Sequence, residues 1–290
     1  VALAANEIGG YNDTHHFDFR AFVLAWPEVA VMKRLALFLA FLVHVSSTVS
    51  AEEITSQCAF EPGPINGVLI EQGEGRLAVY GWASDDTDKI EHVLLPHGRR
   101  DLVWKARPLV EAGAGAIAPA RELYMLEKPR DFWNAFTKTR FHDYGQQSTK
   151  ISADALKVDR WVKEGDDIQW RGITFRVIET PGFTRGSVSY LTELDGKKIA
   201  FTGDLIYGDG RILDLYSFQD AIPEAQIRGY HGYGSRLAGL VSSLRKVSAE
   251  RPDVIVPARG PVIRRPREAM DRLTGRVQAL YRNYLSTSAL

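Results

Sequence analysis

The stretch Ile173–Asp204 constrains this chain most; it reads ITFRVIETPGFTRGSVSYLTELDGKKIAFTGD. Ile173–Glu179 alternates apolar and polar residues, the pattern of a strand with one buried face. Thr180-Pro181-Gly182 ends it, because Pro181 fixes its own φ and Gly182 permits a bend. Val188–Glu193 reads as a second strand, and the Asp195-Gly196 turn folds Lys198–Thr202 back onto it as a hairpin. Gly203-Asp204 then leaves a carboxylate at a strand end, under a glycine-rich loop, where functional side chains collect.

The rest of the chain supplies what such a sheet needs. At 290 residues and 45% hydrophobic content there is apolar material for one sizeable domain or two small ones. The 36 basic and 36 acidic residues cancel, which argues against nucleic acid or a membrane surface as a bulk electrostatic partner. Cys58 is the single cysteine, so an intrachain disulfide and a cysteine-built zinc site are both excluded. Met32-Lys33-Arg34, the apolar run Leu35–Val45 and the small residues up to Ala51 read as a signal peptide over residues 32–51, cleaved after Ala51. The apolar run is too short to favour a membrane span. The expectation is a secreted or periplasmic protein with no stable span after signal removal. Residues 1–31 precede that start methionine and are set aside as an upstream extension.

Further elements follow in order. Asn66–Glu71 and Leu77–Tyr80 form a hairpin across Gly73-Glu74-Gly75. Glu91–Leu95 is a strand leading into Pro96–Leu102, and Leu102–Ala112 is a helix with Asp101 as its N-cap. Ala116–Ala118 is a short strand. Glu122–Thr137 is helical in part and broken at Pro129. Ile168–Trp170 is a strand, Ser235–Ser248 has helical spacing, Val254–Val256 is a strand, and Arg267–Leu285 closes the chain as an amphipathic helix. This order suits an α/β (α+β) fold of two packed sheets with helices outside, a four-layer αββα sandwich.

Four segments carry a family resemblance. Thr180-Pro181-Gly182-Phe183-Thr184-Arg185-Gly186-Ser187 resembles the Thr-Pro-Gly-His-Thr-x-Gly-Ser segment of the metallo-β-lactamase fold superfamily, and Thr202-Gly203-Asp204 matches its Thr-Gly-Asp strand end. His97-Gly98-Arg99-Arg100-Asp101-Leu102 lies where that superfamily has His-x-His-x-Asp-His, and Pro257-Ala258-Arg259-Gly260 where it has Pro-x-His-Gly. Asn66–Ile70 resembles its opening Asn-x-x-Leu-Ile strand, although Tyr80-Gly81 stands where the next strand ends near an aspartate, a departure expected to alter packing around the site. The resemblance covers residues 62–285, and the order of the segments makes it stronger than any one motif.

That resemblance implies up to two metal ions, usually zinc, held by seven side chains. Carried over position by position, it leaves His97, Asp101 and Asp204, with Arg99, Leu102, Phe183 and Arg259 in place of four histidines. Zinc takes about four ligands. A single ion on His97, Asp101, Asp204 and His231 is one reading; no cofactor is the other. His142 and Asp143 are further loop candidates. Arginine stays charged in proteins, and two like charges at 4 Å repel by about 4 kcal/mol at an effective dielectric near 20. Arg99 and Arg259 are therefore expected to replace metal charge by pairing with the two aspartates. The resulting function is a hydrolase-like member of the superfamily with an altered metal site, acting on an ester, amide or phosphoester if active. In it Asp204, Asp101 and His97 would be catalytic, and Arg99, Arg259 and Phe183 would face the substrate. The alternative is a metal-free member binding a small anionic ligand or a partner in the same cleft. A metal-free enzyme built on an Asp–His or Asp–Arg pair is a third reading, while no Gly-x-Ser-x-Gly elbow points to a serine hydrolase. The bland alternatives are a hydrogen-bonded core histidine for His97, a packing residue for Phe183 and an exposed loop arginine for Arg185.

Overall fold

The alternation in Ile173–Glu179 fixes which face of the central sheet is buried. Ile173, Phe175 and Val177 are buried while Thr174 and Arg176 are exposed, so the strand has one wet and one dry face along most of its length. Asp195 and Gly196 both have positive φ, 50° and 72°, as a two-residue hairpin turn requires. The computed structural model describes residues 51–83, 89–138, 154–212 and 233–287, all within one unit, Val49–Leu290. The expected signal segment, His142, Asp143 and His231 lie outside the described residues, apart from Ala51.

Twelve strands build two sheets among the described residues. The first runs β1 (Glu52–Thr55), β2 (Cys58–Glu61), β3 (Gly67–Gln72), β4 (Gly75–Val79), β5 (Ile90–Leu94), β6 (Gly115–Pro119), β7 (Arg160–Val162), in that spatial order. It is antiparallel up to β4 and parallel from β4 to β7. The second is ordered β12-β11-β10-β9-β8, where β8 is Asp167–Trp170, β9 Ile173–Glu179, β10 Val188–Leu194, β11 Lys197–Phe201 and β12 Val254–Val256. Only the β11–β12 pair of this sheet is parallel. The helices are α1 (Arg100–Glu111), α2 (Leu123–Glu127), α3 (Pro129–Lys138), α4 (Tyr233–Ala249) and α5 (Pro266–Thr287). Strands β1 and β2 precede residue 62, with β1 pairing onto β2 and β2 onto β3, so among the described residues the sheet starts at Glu52.

The packing follows the period-two pattern. One apolar cluster joins both sheets and the buried face of α1: Val68, Ile70, Leu77 and Val79 belong to it with Phe175, Val177, Tyr190, Ile199 and Phe201. A second cluster lies where the other face of the second sheet (Ile178, Leu191, Ala200, Ile255) meets Leu237, Leu240 and Leu244 of α4 and Met270 and Leu273 of α5. Each fully buried Leu, Ile or Phe contributes about 1.5–3 kcal/mol of transfer free energy. Cys58 sits in the first cluster, and burial together with the Asp195 charge pushes its thiol up to about 12. Glu91 of β5 reaches the second sheet, accepting hydrogen bonds from Trp170 Nε1 (2.7 Å) and Arg171 NH2 (2.5 Å). Among the described residues no helix is long and apolar enough to cross a membrane.

Candidate functional site

The ends of β5, β11 and β12 and the β9–β10 loop meet at one edge of the two sheets. Pro96-His97-Gly98 follows β5, Gly203-Asp204 follows β11 and Pro257-Ala258-Arg259 follows β12. Val188 N–H donates to Pro96 O (2.9 Å) and Ala258 N–H to Gly203 O (2.8 Å), so the backbones of these loops are tied to one another. Gly203 has φ +58°, and a Cβ there would stand 2.9 Å from Cβ of Pro96; this close crossing requires glycine.

His97 is wholly buried, and both ring nitrogens are used. Arg99 N–H donates to Nδ1 (3.3 Å), so the proton of the neutral ring is on Nε2, which donates to Asp204 Oδ2 (2.8 Å). Asp204 Oδ2 also meets Arg259 NH1 at 2.5 Å, and Arg259 NH2 pairs with Asp101 Oδ2. Arg259 therefore bridges the two aspartates, as the sequence chemistry anticipated. Burial, aided by the Arg99 charge, lowers its guanidinium from 12.5 to about 10, which leaves it charged at neutral pH. The Phe183 ring lies 4.9 Å from that of His97, with the Cζ atoms of Arg99 and Arg259 at 5.6 and 5.9 Å from its centroid. Phe183 thus caps the histidine and offers its π face to both cations. Arg185, expected as an exposed loop residue, is half-buried.

Asp101 is not the N-cap expected of it. Helix α1 begins at Arg100 and its N-cap is Arg99, whose φ and ψ of −69° and 144° are extended and whose side chain caps nothing. Asp101 lies inside the first turn, where its Oδ1 accepts from Leu102 N–H (3.2 Å) and its charge suits the helix dipole. The helix starts earlier than the apolar periodicity suggested because Arg100 and Asp101 face out while still completing the turn.

Three residues that hold the site were not singled out by sequence reasoning as site residues. Glu122, buried in the 3-10 turn Ala120–Glu122, accepts from Gly98 N–H (3.0 Å) with Oε2 and from Thr184 Oγ1 and Gly186 N–H (both 2.8 Å) with Oε1. It pins the His97 loop to the Phe183 loop. A Cβ at Gly186 would stand 2.5 Å from Glu122 Oε1, so glycine is required there. Asn66 Nδ2 donates to Pro257 O (3.0 Å) and Gly260 O (2.8 Å), clamping the Arg259 loop. The Tyr80 hydroxyl donates to Val256 O (2.7 Å) and accepts from Gly203 N–H (3.1 Å), filling the space beneath Asp204. A carboxylate three residues beyond the end of strand β6 was the available signal for Glu122.

These residues do not fit a resident zinc ion. Both carboxylates already hold a guanidinium, His97 has no free nitrogen, and Leu102 and Phe183 offer no donor. Among the described residues no group of three His, Cys, Asp or Glu is placed to hold a metal.

Comparison with known proteins places the arrangement. A 28% identical uncharacterised protein of Mycobacterium tuberculosis matches over 160 residues, 51% of this chain and 66% of its own length, just under two thirds. A hydroxyacylglutathione hydrolase of Brucella anthropi is 42% identical over 70 residues, 23% of this chain and 25% of that protein. Similar solved structures include a B3 metallo-β-lactamase with an active-site glutamic acid (TM-score 0.59, 17% identity, covering 86% of this chain and 96% of that one). A Cronobacter sakazakii metallo-β-lactamase described by a HARLDQ motif is another (TM-score 0.55, 16% identity, covering 87% and 93%). At these identities the structural likeness is one of fold. The model of the metallo-beta-lactamase superfamily matches residues 82–259, more than half of the sequence, and the chain belongs to that superfamily.

Proposed function

We propose that this superfamily member works without a resident metal and binds a small oxyanion, a carboxylate or a phosphate, at the mouth of the inherited cleft. The observation that carries the reading is the Arg259 guanidinium held between Asp101 and Asp204, where the family resemblance would put metal. A second permanent cation, Arg99, lies beside it over Phe183. Guanidinium groups at a partly buried site suit planar carboxylate or phosphate recognition. Zinc entering here would have to displace one cation from two carboxylates while facing another.

The Cronobacter sakazakii neighbour, itself described as a metallo-β-lactamase, has an arginine at the corresponding place in its motif. His-Ala-Arg-Leu-Asp-Gln shares histidine, arginine and aspartate, at the same spacing, with His97, Arg99 and Asp101. A further structure of that protein carries an arginine, a glutamine and a lysine replaced by histidine. The hydrolase reading draws support from the short similarity to hydroxyacylglutathione hydrolases. A metal-free Asp–His general base is disfavoured, since His97 is buried with both nitrogens engaged.

The folded unit is proposed to begin at Glu52. Export to the periplasm or beyond is proposed on the sequence pattern of residues 32–51 alone.

The test is metal content. The purified chain is dialysed against zinc and then against metal-free buffer, and the retained metal is measured. Less than about 0.1 equivalent is expected, since a stable zinc site needs about four ligands. Retention of one equivalent that is lost in Asp204→Ala overturns the proposal in favour of the hydrolase reading and calls for an ester, amide and phosphoester screen.

A further inference from the structure

Asp101 and Asp204 grip the same guanidinium from unlike positions. The Asp204 side chain is 2% exposed and the Arg259 side chain 9%, whereas the Asp101 side chain is 47% exposed. Asp204 is anchored from two sides, accepting from His97 Nε2 and meeting Arg259 NH1. Asp101 meets only the outer nitrogen, NH2. A solvent-facing ion pair contributes about 0–1 kcal/mol, so the Asp101 contact is the one that exchanges readily.

What Asp101 contributes is a carboxylate at a prepared place. It sits in the first turn of the twelve-residue helix α1, against a helix end whose N-cap supplies no side-chain acceptor. The positive end of a helix attracts anions, and here the guanidiniums of Arg259 and Arg99 lie at the same point. Without the Asp101 carboxylate, Arg259 NH2 would lose its ion-pair partner beside the Arg99 cation.

We propose that Asp101 is a resident stand-in for the oxyanion ligand. An incoming carboxylate or phosphate oxygen takes its place on Arg259 NH2, while Asp204 keeps NH1 and holds the guanidinium in position. The protein is thereby self-blocked, and ligand binding is an exchange of one anion for another. This rests on the oxyanion reading above and adds the blocking contact to it.

The test is isothermal titration of inorganic phosphate, and separately of acetate, into the full chain and into Asp101→Asn. Asp101→Asn is expected to bind at least one of these probes up to about fivefold more tightly than wild type, a difference of about 1 kcal/mol. The gain shrinks as ionic strength rises from about 0.01 M to about 0.15 M, because the exchanged contact is exposed and screened. Adding Arg99→Gln to Asp101→Asn weakens the binding again. Equal affinities in wild type and Asp101→Asn overturn the stand-in role while the oxyanion reading survives. No binding of either probe to any variant overturns both. Should Asp101→Asn fail to fold, Asp101→Ser carries the same expectation.

Discussion

Replacing Arg259 by methionine tests whether a guanidinium holds this site together. Methionine preserves much of the side-chain volume and removes the charge. Asp204 is then a buried carboxylate whose cation has gone, with only the His97 Nε2–H left to it. Removing one partner of a buried ion pair costs about 3–5 kcal/mol. The Asp101 half of the bridge adds about 0–1 kcal/mol, since that side chain is 47% exposed. Two effects work the other way. The desolvation that lowers Arg259 to about 10 is relieved, and so is its repulsion with Arg99. The net loss is therefore expected at the low end, about 3 kcal/mol. Urea unfolding should show it as a lower midpoint at unchanged slope. For a unit of this size it corresponds to a fall in Tm of about 6–12 °C. A double-mutant cycle locates the loss. The coupling of Arg259 with Asp204 should reach about 2–3 kcal/mol, and that with Asp101 should stay below about 1 kcal/mol. A loss below about 1 kcal/mol for Arg259→Met refutes the reasoning, as does a stronger coupling to Asp101 than to Asp204.

Two further outcomes follow from the surrounding ties. Glu122→Ala leaves Gly98 N–H and Gly186 N–H without their acceptor, while Thr184 Oγ1 keeps Ser187 Oγ as a partner. At about 1–3 kcal/mol for each orphaned buried group, the loss should reach at least about 2 kcal/mol by urea unfolding, with Glu122→Gln losing less; a near-neutral Glu122→Ala would show that the loops hold without it. Glu91 is held down to about 2 from 4.5, first by the Arg171 hydrogen bonds and then by Trp170. Its folded value lies below its unfolded one, so the stabilisation is complete above pH 4.5 and is lost as pH falls toward about 2. Glu91→Gln should flatten that acid limb of Tm against pH, and superimposable curves for the two proteins would contradict it.

Much of the fold is legible in the sequence because its strands alternate cleanly and end at strong breakers. Ile173–Glu179 and Val254–Val256 are strands as read, and Pro129 separates α2 from α3 by opening the second helix. Strands β1, β2 and β7 were not read, since mixed runs such as Arg160–Val162 lack the continuous apolar stretch that marks Val254–Val256 and exist through their neighbours. The site divides in the same way. The pairing of Arg259 with the aspartates followed from charge once the family resemblance had put these residues in one cleft; the same pairing was expected of Arg99, which lies over the Phe183 ring. The part played by Glu122 did not, because its partners Thr184 and Gly186 lie more than sixty residues away and only the folded sheets bring them to it.

A metal in a cleft of this kind does two structural jobs, neutralising clustered carboxylates and tying together loops from different strands. On the metal-free reading proposed above, the two jobs fall to different groups in this chain. Arg259 neutralises Asp101 and Asp204. Glu122 ties the His97 loop to the Phe183 loop, Asn66 clamps the loop that carries Arg259, and the Tyr80 hydroxyl binds Gly203 to β12. The Glu122, Asn66 and Tyr80 ties are hydrogen bonds of buried side chains, so none of them depends on an ion from solution. The carboxylate of Asp101 is the exception, being about half exposed to solvent. Stability and recognition are thus carried by separate contacts on one guanidinium. The inner nitrogen and Asp204 set the stability, and the outer nitrogen can change partners at small cost to the fold.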